Sequence, residues 1–192
     1  MNLRRPSRPV RRALLATAAA GLAVLAAALW FGTPYPAADP EAAAARLKAE
    51  AQRAYDEAGL PPGTVPVHNG VETGSCSYRG LRSLAHIDRS RPDVRSFRLG
   101  WEVRGVPEAV ARAGHDRTRA RLAAAGWKPG SSREDSLMFG FDFAHPDSGE
   151  VVNLDWHEPT GTYAVSAYVP CGRLPDGFDA YAWPSAAWRP ER

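Results

Sequence analysis

Three consecutive segments in the second half of the chain alternate strictly between apolar and polar residues, and they constrain the fold more than any other feature. The segments are residues 137–144, 151–157 and 163–169, joined by the turn-like sequences HPDSG and EPTG. Period-two alternation with aromatic residues predicts strands that bury one face. Short turn-bearing connections between such strands predict an antiparallel meander.

A fourth alternating segment, residues 94–103, precedes these three, and a helical segment bounded by Pro107 and Gly126 lies between. One face of that helix carries small residues, which allow close packing on a sheet. The predicted order is β-α-β-β-β. We therefore expect an α+β fold in which an antiparallel four-stranded, meander-type sheet has one helix packed on one face. Residues 126–128 are a further candidate for a short edge strand.

The N-terminal part combines a basic segment with an uncharged one. Five arginines lie within residues 1–12, and residues 13–31 contain no charged residue and no proline. A helix of that length spans about 28 Å, close to the ~30 Å hydrocarbon core of a bilayer. We expect a transmembrane helix over residues 13–31 with a lipid bilayer as its partner, the N-terminus in the cytoplasm and the remaining chain extracellular. The alternative is a cleaved signal peptide, which would make the domain a secreted one.

The whole chain divides by composition into five segments. The predicted organisation is a cytoplasmic tail (1–12), the transmembrane helix (13–31), a juxtamembrane helix at about 40–58 with a linker (together 32–75), an extracytoplasmic α+β domain (76–171) and a C-terminal tail (172–192). Gly and Pro enrichment marks the linker. In the tail, Trp183 and Trp188 are expected to fold back onto the domain, because exposed Trp is unfavourable.

The chain has two cysteines, Cys76 and Cys171. In an oxidising compartment, two lone cysteines most simply form a disulfide. Closing so long a loop contributes on the order of 4–5 kcal/mol in the chain-entropy model. A reactive thiol is the alternative, but neither cysteine has a basic cluster with His nearby in the sequence. We therefore predict a structural Cys76–Cys171 disulfide.

The net charge of +3 is a local, N-terminal property, because the chain beyond residue 12 has slightly more acidic than basic residues. This distribution argues against a nucleic-acid partner, which requires basic residues on a folded face. Within the domain, arginines concentrate before residue 122 and acidic residues after it. Arg112 and Arg119 on the predicted helix are candidates for contact with an anionic polymer or lipid, or with another envelope protein. Pairing of the two halves within the domain is the alternative.

Common catalytic signatures are missing from the sequence, including HExxH, GxSxG and a phosphate-binding glycine loop. Polar side chains gather instead on the second face of the meander, where Asp142, Asp155 and His157 share one side, with His145 and Glu158 in the adjoining turns. Two carboxylates and a His are suited to hold a ligand or metal, or to act as acid and base. An ordinary solvated sheet face is the alternative.

These observations resemble no known family closely enough to name one. They predict a membrane-anchored, extracytoplasmic binding or interaction domain of a bacterial cell envelope, non-catalytic and without a cofactor. Nearly all basic residues are Arg, which together with frequent Ala, Gly and Pro suggests a GC-rich bacterial coding sequence. The alternative is an envelope hydrolase or metal-dependent enzyme that uses Asp142, Asp155 and His157. A concave pocket that encloses these three side chains would favour the enzyme.

Overall fold

A computed structural model of the chain describes residues 8–67, 70–180 and 188–191. The chain divides into two compact units. The smaller consists of residues 1–35 and 77–91, and the larger of residues 36–76 and 92–192. Trp183, which we predicted to fold back, lies outside the described residues.

The larger unit is built on a six-stranded antiparallel sheet. Its strands are β1 (Val71–Ser77), β2 (Ser90–Val103), β3 (Lys128–Glu134), β4 (Met138–Ala144), β5 (Val151–His157) and β6 (Thr162–Arg173). Their order across the sheet is β1-β2-β6-β5-β4-β3. Strands β3 to β6 form an antiparallel meander, and β2 pairs with β6.

Two helices cover one face of this sheet. They are α2 (Pro40–Ala58) and α4 (Glu108–Ala124). The smaller unit contains the other two helices, α1 (Arg8–Phe31) and α3 (Arg82–Ala85). Helix α2 begins where the Asp39 side chain accepts a hydrogen bond from the Ala42 N–H at 3.0 Å, and it ends at Gly59 in the left-handed conformation. Buried alanines along α2 let it approach α4 and β6 closely.

The core lies between the two helices and the sheet. Its largest fully buried side chains are Tyr163, Phe97, Leu99, Leu122, Leu154, Val71, Val94, Val152 and Thr118. Trp188 is also buried, with its ring centroid 6.3 Å from that of Trp101 and 6.1 Å from that of Tyr55. This part of the C-terminal tail thus packs onto the domain, where the apolar ring is removed from water.

The predicted disulfide is confirmed. Cys76 and Cys171 are bonded to each other across a sequence separation of 95 residues, and the described part of the chain contains no free cysteine. The bond ties the end of β1 to β6, although β2 lies between these strands in the sheet. It therefore holds an edge strand to the central part of the sheet.

The prediction of a four-stranded sheet with one covering helix is wrong. Edge strand β1 occupies part of the predicted linker, and edge strand β3 extends far beyond the residues 126–128 that we considered. Every residue of β3 is exposed. An edge strand pairs on one side only and buries little, so it needs no apolar alternation and leaves little signal in the sequence. The second covering helix is α2, which we had assigned to a juxtamembrane segment.

The prediction of a transmembrane helix over residues 13–31 is also wrong. Among the described residues, no helix is long and apolar enough to cross a membrane. Helix α1 covers this segment. Much of residues 13–31 is Ala, which contributes little apolar surface per residue. The predicted single-pass localisation, with a cytoplasmic N-terminus and an extracellular domain, is contradicted by the same finding.

Candidate binding face

The face of the sheet opposite the two helices carries two ordered rows of side chains. Strand pairing places the first row in the order Arg133, Gly140, Asp155, Ala164, Glu102, and the second in the order Asp142, Asn153, Ser166, Gly100. These residues alternate along each strand with buried core residues such as Leu154 and Val165. The register of the sheet thus brings charged and very small side chains together on its helix-free face.

A recess of about 330 Å³ lies on this face. Its lining residues are Glu72, Arg98, Gly100, Trp101, Glu102, Asp155, Ala164, Val165 and Ser166. Gly100, Ala164 and Ser166 form a floor of small residues across β2 and β6, while longer charged side chains stand around it. The recess exists because the centre of the face has almost no side-chain volume.

Gly100 is not required by the packing of the sheet. A Cβ added there would lie 3.5 Å from the Val165 carbonyl oxygen, which is an ordinary contact. Gly140, in the first row, differs: a Cβ there would lie 2.7 Å from the Leu154 carbonyl oxygen and would also collide with the Asp155 side chain. Glycine within a strand is unfavourable and often marks a place where another group approaches the backbone. Gly100 fits that description, whereas Gly140 makes room for a neighbouring side chain.

Carboxylates outnumber guanidinium groups around the recess, with Glu72, Glu102 and Asp155 facing Arg98. Two of these carboxylates pair with exposed arginines. Asp155 Oδ1 accepts a hydrogen bond from Arg133 Nη2 at 3.0 Å, and the Arg133 side chain is 53% exposed. Glu102 Oε1 lies 3.4 Å from Nη2 of Arg104, whose side chain is 72% exposed. Pairs of this kind contribute little and exchange readily with other partners.

The structure does not bring the three predicted site residues into one site. Asp155 lines the recess just described. Asp142 accepts hydrogen bonds from the backbone N–H and the hydroxyl of Ser131, on β3. His157 borders a different recess of about 460 Å³, beside Met138 and Thr162. In the parts of the chain that the structure describes, no three His, Cys, Asp or Glu side chains are arranged to hold a metal ion.

The neighbouring turn residues do not extend that cluster. The His145 ring packs edge-on against Trp127, with 5.3 Å between ring centroids, and its Nδ1 accepts hydrogen bonds from the backbone N–H groups of Asp147 and Ser148 at 3.3 Å. Glu158 is exposed at the start of a 3-10 turn, Glu158–Thr160. Both residues therefore belong to turns at the sheet ends.

The two predicted anion-binding residues lie on α4 and pack against β4. The Arg112 guanidinium pairs with Glu108 at 2.8 Å and with Glu134 at 3.1 Å, and its Cζ lies 4.2 Å from the Phe139 ring centroid. The hydrogen bonds that Arg112 donates to both carboxylates raise its pKa above its usual range. The Cζ of Arg119 lies 5.0 Å from the centroid of Phe141. The charge of Arg112 is thus largely compensated within the domain.

Between these arginines, His115 points its ring into an aromatic environment. Its centroid is 4.8 Å from that of Phe139, 5.1 Å from Phe141 and 5.5 Å from Tyr163. Burial lowers the pKa of His115 to about 4, and the charge of Arg119 adds to this effect. The ring is therefore neutral at physiological pH and serves as part of the core.

Apart from Asp155, the residues that shape the recess were missed in the sequence because they come from strands that are distant in the chain. Arg98, Gly100 and Glu102 are the polar positions of β2, and Ala164 and Ser166 those of β6. The alternation did indicate that they share the solvent side of their own strands. It did not indicate that β2 pairs with β6, since sequence order alone favours neighbours along the chain.

Comparison of the chain with known protein families, with curated proteins and with solved structures gave no match.

Proposed function

We propose that this protein is a non-catalytic binding domain, whose helix-free sheet face holds a cationic group of a partner. The observation that carries the proposal is the recess of about 330 Å³, in which three carboxylates and one guanidinium surround a floor of small residues. An ammonium or guanidinium group is the chemistry that such a site favours, because it can take the place of the exposed arginines that now pair with Asp155 and Glu102.

The register of the sheet supports this choice of ligand. Asp155 and Glu102 flank Ala164 in one row of the face. Since neighbouring strands lie about 4.8 Å apart, the two carboxylate-bearing residues are separated by about 10 Å across the short Ala164 side chain. That spacing leaves room for one ammonium group between the two carboxylates. The Ser166 hydroxyl, within 3.4 Å of Asn153 Nδ2, adds a polar group to the floor.

The alternative, an enzyme that uses Asp142, Asp155 and His157, has less support. Asp155 and His157 border different recesses, and Asp142 is occupied by Ser131. Among the described residues that line the recess of about 330 Å³, none is His or Cys. Acid–base catalysis needs its groups within hydrogen-bond reach of a common point, and nucleophilic catalysis needs a base beside the nucleophile.

The disulfide supports an oxidising environment for the domain. A structural disulfide forms and persists under oxidising conditions, and the Cys76–Cys171 bond closes a loop of 95 residues. A role in a bacterial cell envelope is consistent with such conditions and stays a prediction.

Titration with a tetralysine peptide, followed by NMR or calorimetry, tests the proposal. Wild-type protein should bind tetralysine and not tetraglutamate. Glu102→Gln and Asp155→Asn should each weaken tetralysine binding by about 3- to 10-fold, because each removes one charge-assisted contact. Ala164→Phe, which fills the floor, should abolish it.

The matched control is Asp176→Asn, which removes an exposed carboxylate outside the recess. It should bind tetralysine like wild type. Binding that responds equally to Asp176→Asn and Glu102→Gln would reveal non-specific charge attraction and would overturn the proposal, as would the absence of binding at millimolar peptide.

A further inference from the structure

The smaller unit exposes a group of large apolar side chains on a short stretch of chain. Leu81, Leu84 and Ile87, in and around α3, are 49%, 68% and 76% exposed. At the end of α1, Trp30 is 49% and Phe31 is 56% exposed. Single exposed apolar residues are ordinary, but several together mark a surface that meets an apolar or interfacial environment. We call these five residues the apolar patch.

Backbone contacts hold the two parts of the patch together. The Leu81 N–H donates a hydrogen bond to the Leu29 carbonyl oxygen at 2.9 Å. Gly32 and Gly80 both adopt the left-handed conformation, with φ of 66° and 65°, and their backbones are in close contact. A Cβ added to Gly32 would lie 2.6 Å from the Gly80 nitrogen, so neither position has room for a side chain. The turn that carries Leu81 is thus fixed beside the end of α1.

A set of arginines borders the apolar patch and rests on aromatic rings. The Cζ of Arg79 lies 3.7 Å from the Tyr35 ring centroid, and that of Arg82 lies 5.4 Å from Phe31 and 5.0 Å from Tyr78. A guanidinium over an aromatic ring is held there by electrostatic attraction to the face of the ring. Residues 77–91 contain four arginines and one acidic residue, so the segment is strongly basic.

From this arrangement we propose that the apolar patch and its arginines bind an anionic lipid surface. Leu84 and Ile87 would enter the boundary between headgroups and acyl chains, where Trp30 and Phe31 are also favourable. The guanidinium groups of Arg82 and Arg89 would contact lipid phosphates. The patch suits an anionic lipid surface because exposed apolar side chains lie beside basic ones, and that combination partitions into a charged interface.

Co-sedimentation of the full chain with vesicles tests this proposal. Vesicles of phosphatidylcholine containing phosphatidylglycerol should bind wild-type protein, and binding should weaken as salt increases. Leu84→Ser with Ile87→Ser should reduce the partition coefficient at least about tenfold, through the loss of inserted apolar surface. Arg82→Gln and Arg89→Gln should each reduce it about fivefold, as expected for one basic side chain at an anionic surface.

Matched controls come from the larger unit. Val65 is 76% exposed, like Ile87, and the Arg104 side chain is 72% exposed. Val65→Ser and Arg104→Gln should leave vesicle binding unchanged. Equal binding by wild type and the Leu84→Ser/Ile87→Ser double variant would overturn the proposal, because α1 alone would then explain the binding. Equal binding to vesicles with and without phosphatidylglycerol, or no binding at all, would also overturn it.

This inference is independent of the function proposed for the larger unit. Glu102→Gln should weaken tetralysine binding and leave vesicle binding unchanged, whereas Leu84→Ser/Ile87→Ser should have the opposite pattern. The two proposals can therefore fail separately.

Discussion

The two faces of the six-stranded sheet use the same strands for different purposes. Leu154 and Asp155 are adjacent on β5, yet Leu154 is fully buried under the helices while Asp155 borders the open recess. On the covered face, aromatic and aliphatic side chains fill the space beneath α2 and α4. On the helix-free face, glycine, alanine and serine leave space unfilled and charged groups surround it. The comparison indicates that the covered face stabilises the fold, whereas the helix-free face is the one for which we propose binding.

The largest contrast is expected between neighbouring residues of β5. Leu154→Ala should lower the free energy of unfolding by about 3–5 kcal/mol, because it leaves a cavity in a fully buried site. Asp155→Ala should lower it by no more than about 1 kcal/mol, since its pair with Arg133 is exposed. Chemical denaturation of both variants measures the difference. Similar losses for the two would show that the helix-free face also supports the fold.

An intermediate effect is expected from acid, through His115 on the covered face. Its pKa is about 4 in the folded protein against 6.5 for an exposed His. As the pH falls, the unfolded chain therefore takes up a proton before the folded protein does. The free energy of unfolding decreases between pH 6.5 and 4, by at most about 3 kcal/mol, whereas above pH 6.5 this loss is absent. Replacing His115 with Phe should flatten this part of the curve.

The measurement is the free energy of unfolding of wild type and His115→Phe at pH 7.5 and pH 4.5. Carboxylates titrate in both proteins, so the informative quantity is the difference between them. Arg119 and Arg112 disfavour the protonated ring and Asp116 favours it. Identical pH dependence in the two proteins would contradict the buried, neutral state of His115.

The smallest changes in the free energy of unfolding are expected for valine at two glycine positions, and the two changes should have opposite signs. Gly114→Val should lower the free energy of unfolding by about 2 kcal/mol, because a Cβ there lies 3.0 Å from the Tyr163 hydroxyl and 3.1 Å from the Ala58 Cα. Gly100→Val should be neutral or stabilising by up to about 1 kcal/mol, since a Cβ there makes only ordinary van der Waals contacts and Val favours strands. Thermal unfolding of both variants shows whether each is more or less stable than wild type. Destabilisation by Gly100→Val would mean that the recess is a packing requirement.

The strands with a buried face were predictable from the sequence, and those without one were not. Alternation of Phe97, Leu99 and Trp101 with polar residues indicated β2 because burial requires apolar side chains at every second position. Strand β3, exposed throughout, forms because β4 offers it an open edge. Helix α2 has a clear N-cap and C-terminal glycine, but its position on the sheet depends on β6, which lies more than a hundred residues away in the chain.

The candidate site was likewise predictable only in part. Period-two alternation correctly assigns Asp155 and Glu102 to the solvent side of their strands, and it assigns His157 there too. Only the pairing of β2 with β6 and of β6 with β5 decides that Glu102 and Asp155 meet around Ala164, while His157 borders another recess.

By itself, the sequence determined which residues avoid water and which two sulfur atoms were available to bond, because hydropathy and cysteine count are properties of residues and their spacing. The order of the strands, the second covering helix and the shape of the recess were decided by the tertiary structure. They depend on contacts between segments distant in the chain, and the free energy of such contacts appears only when both segments are in place.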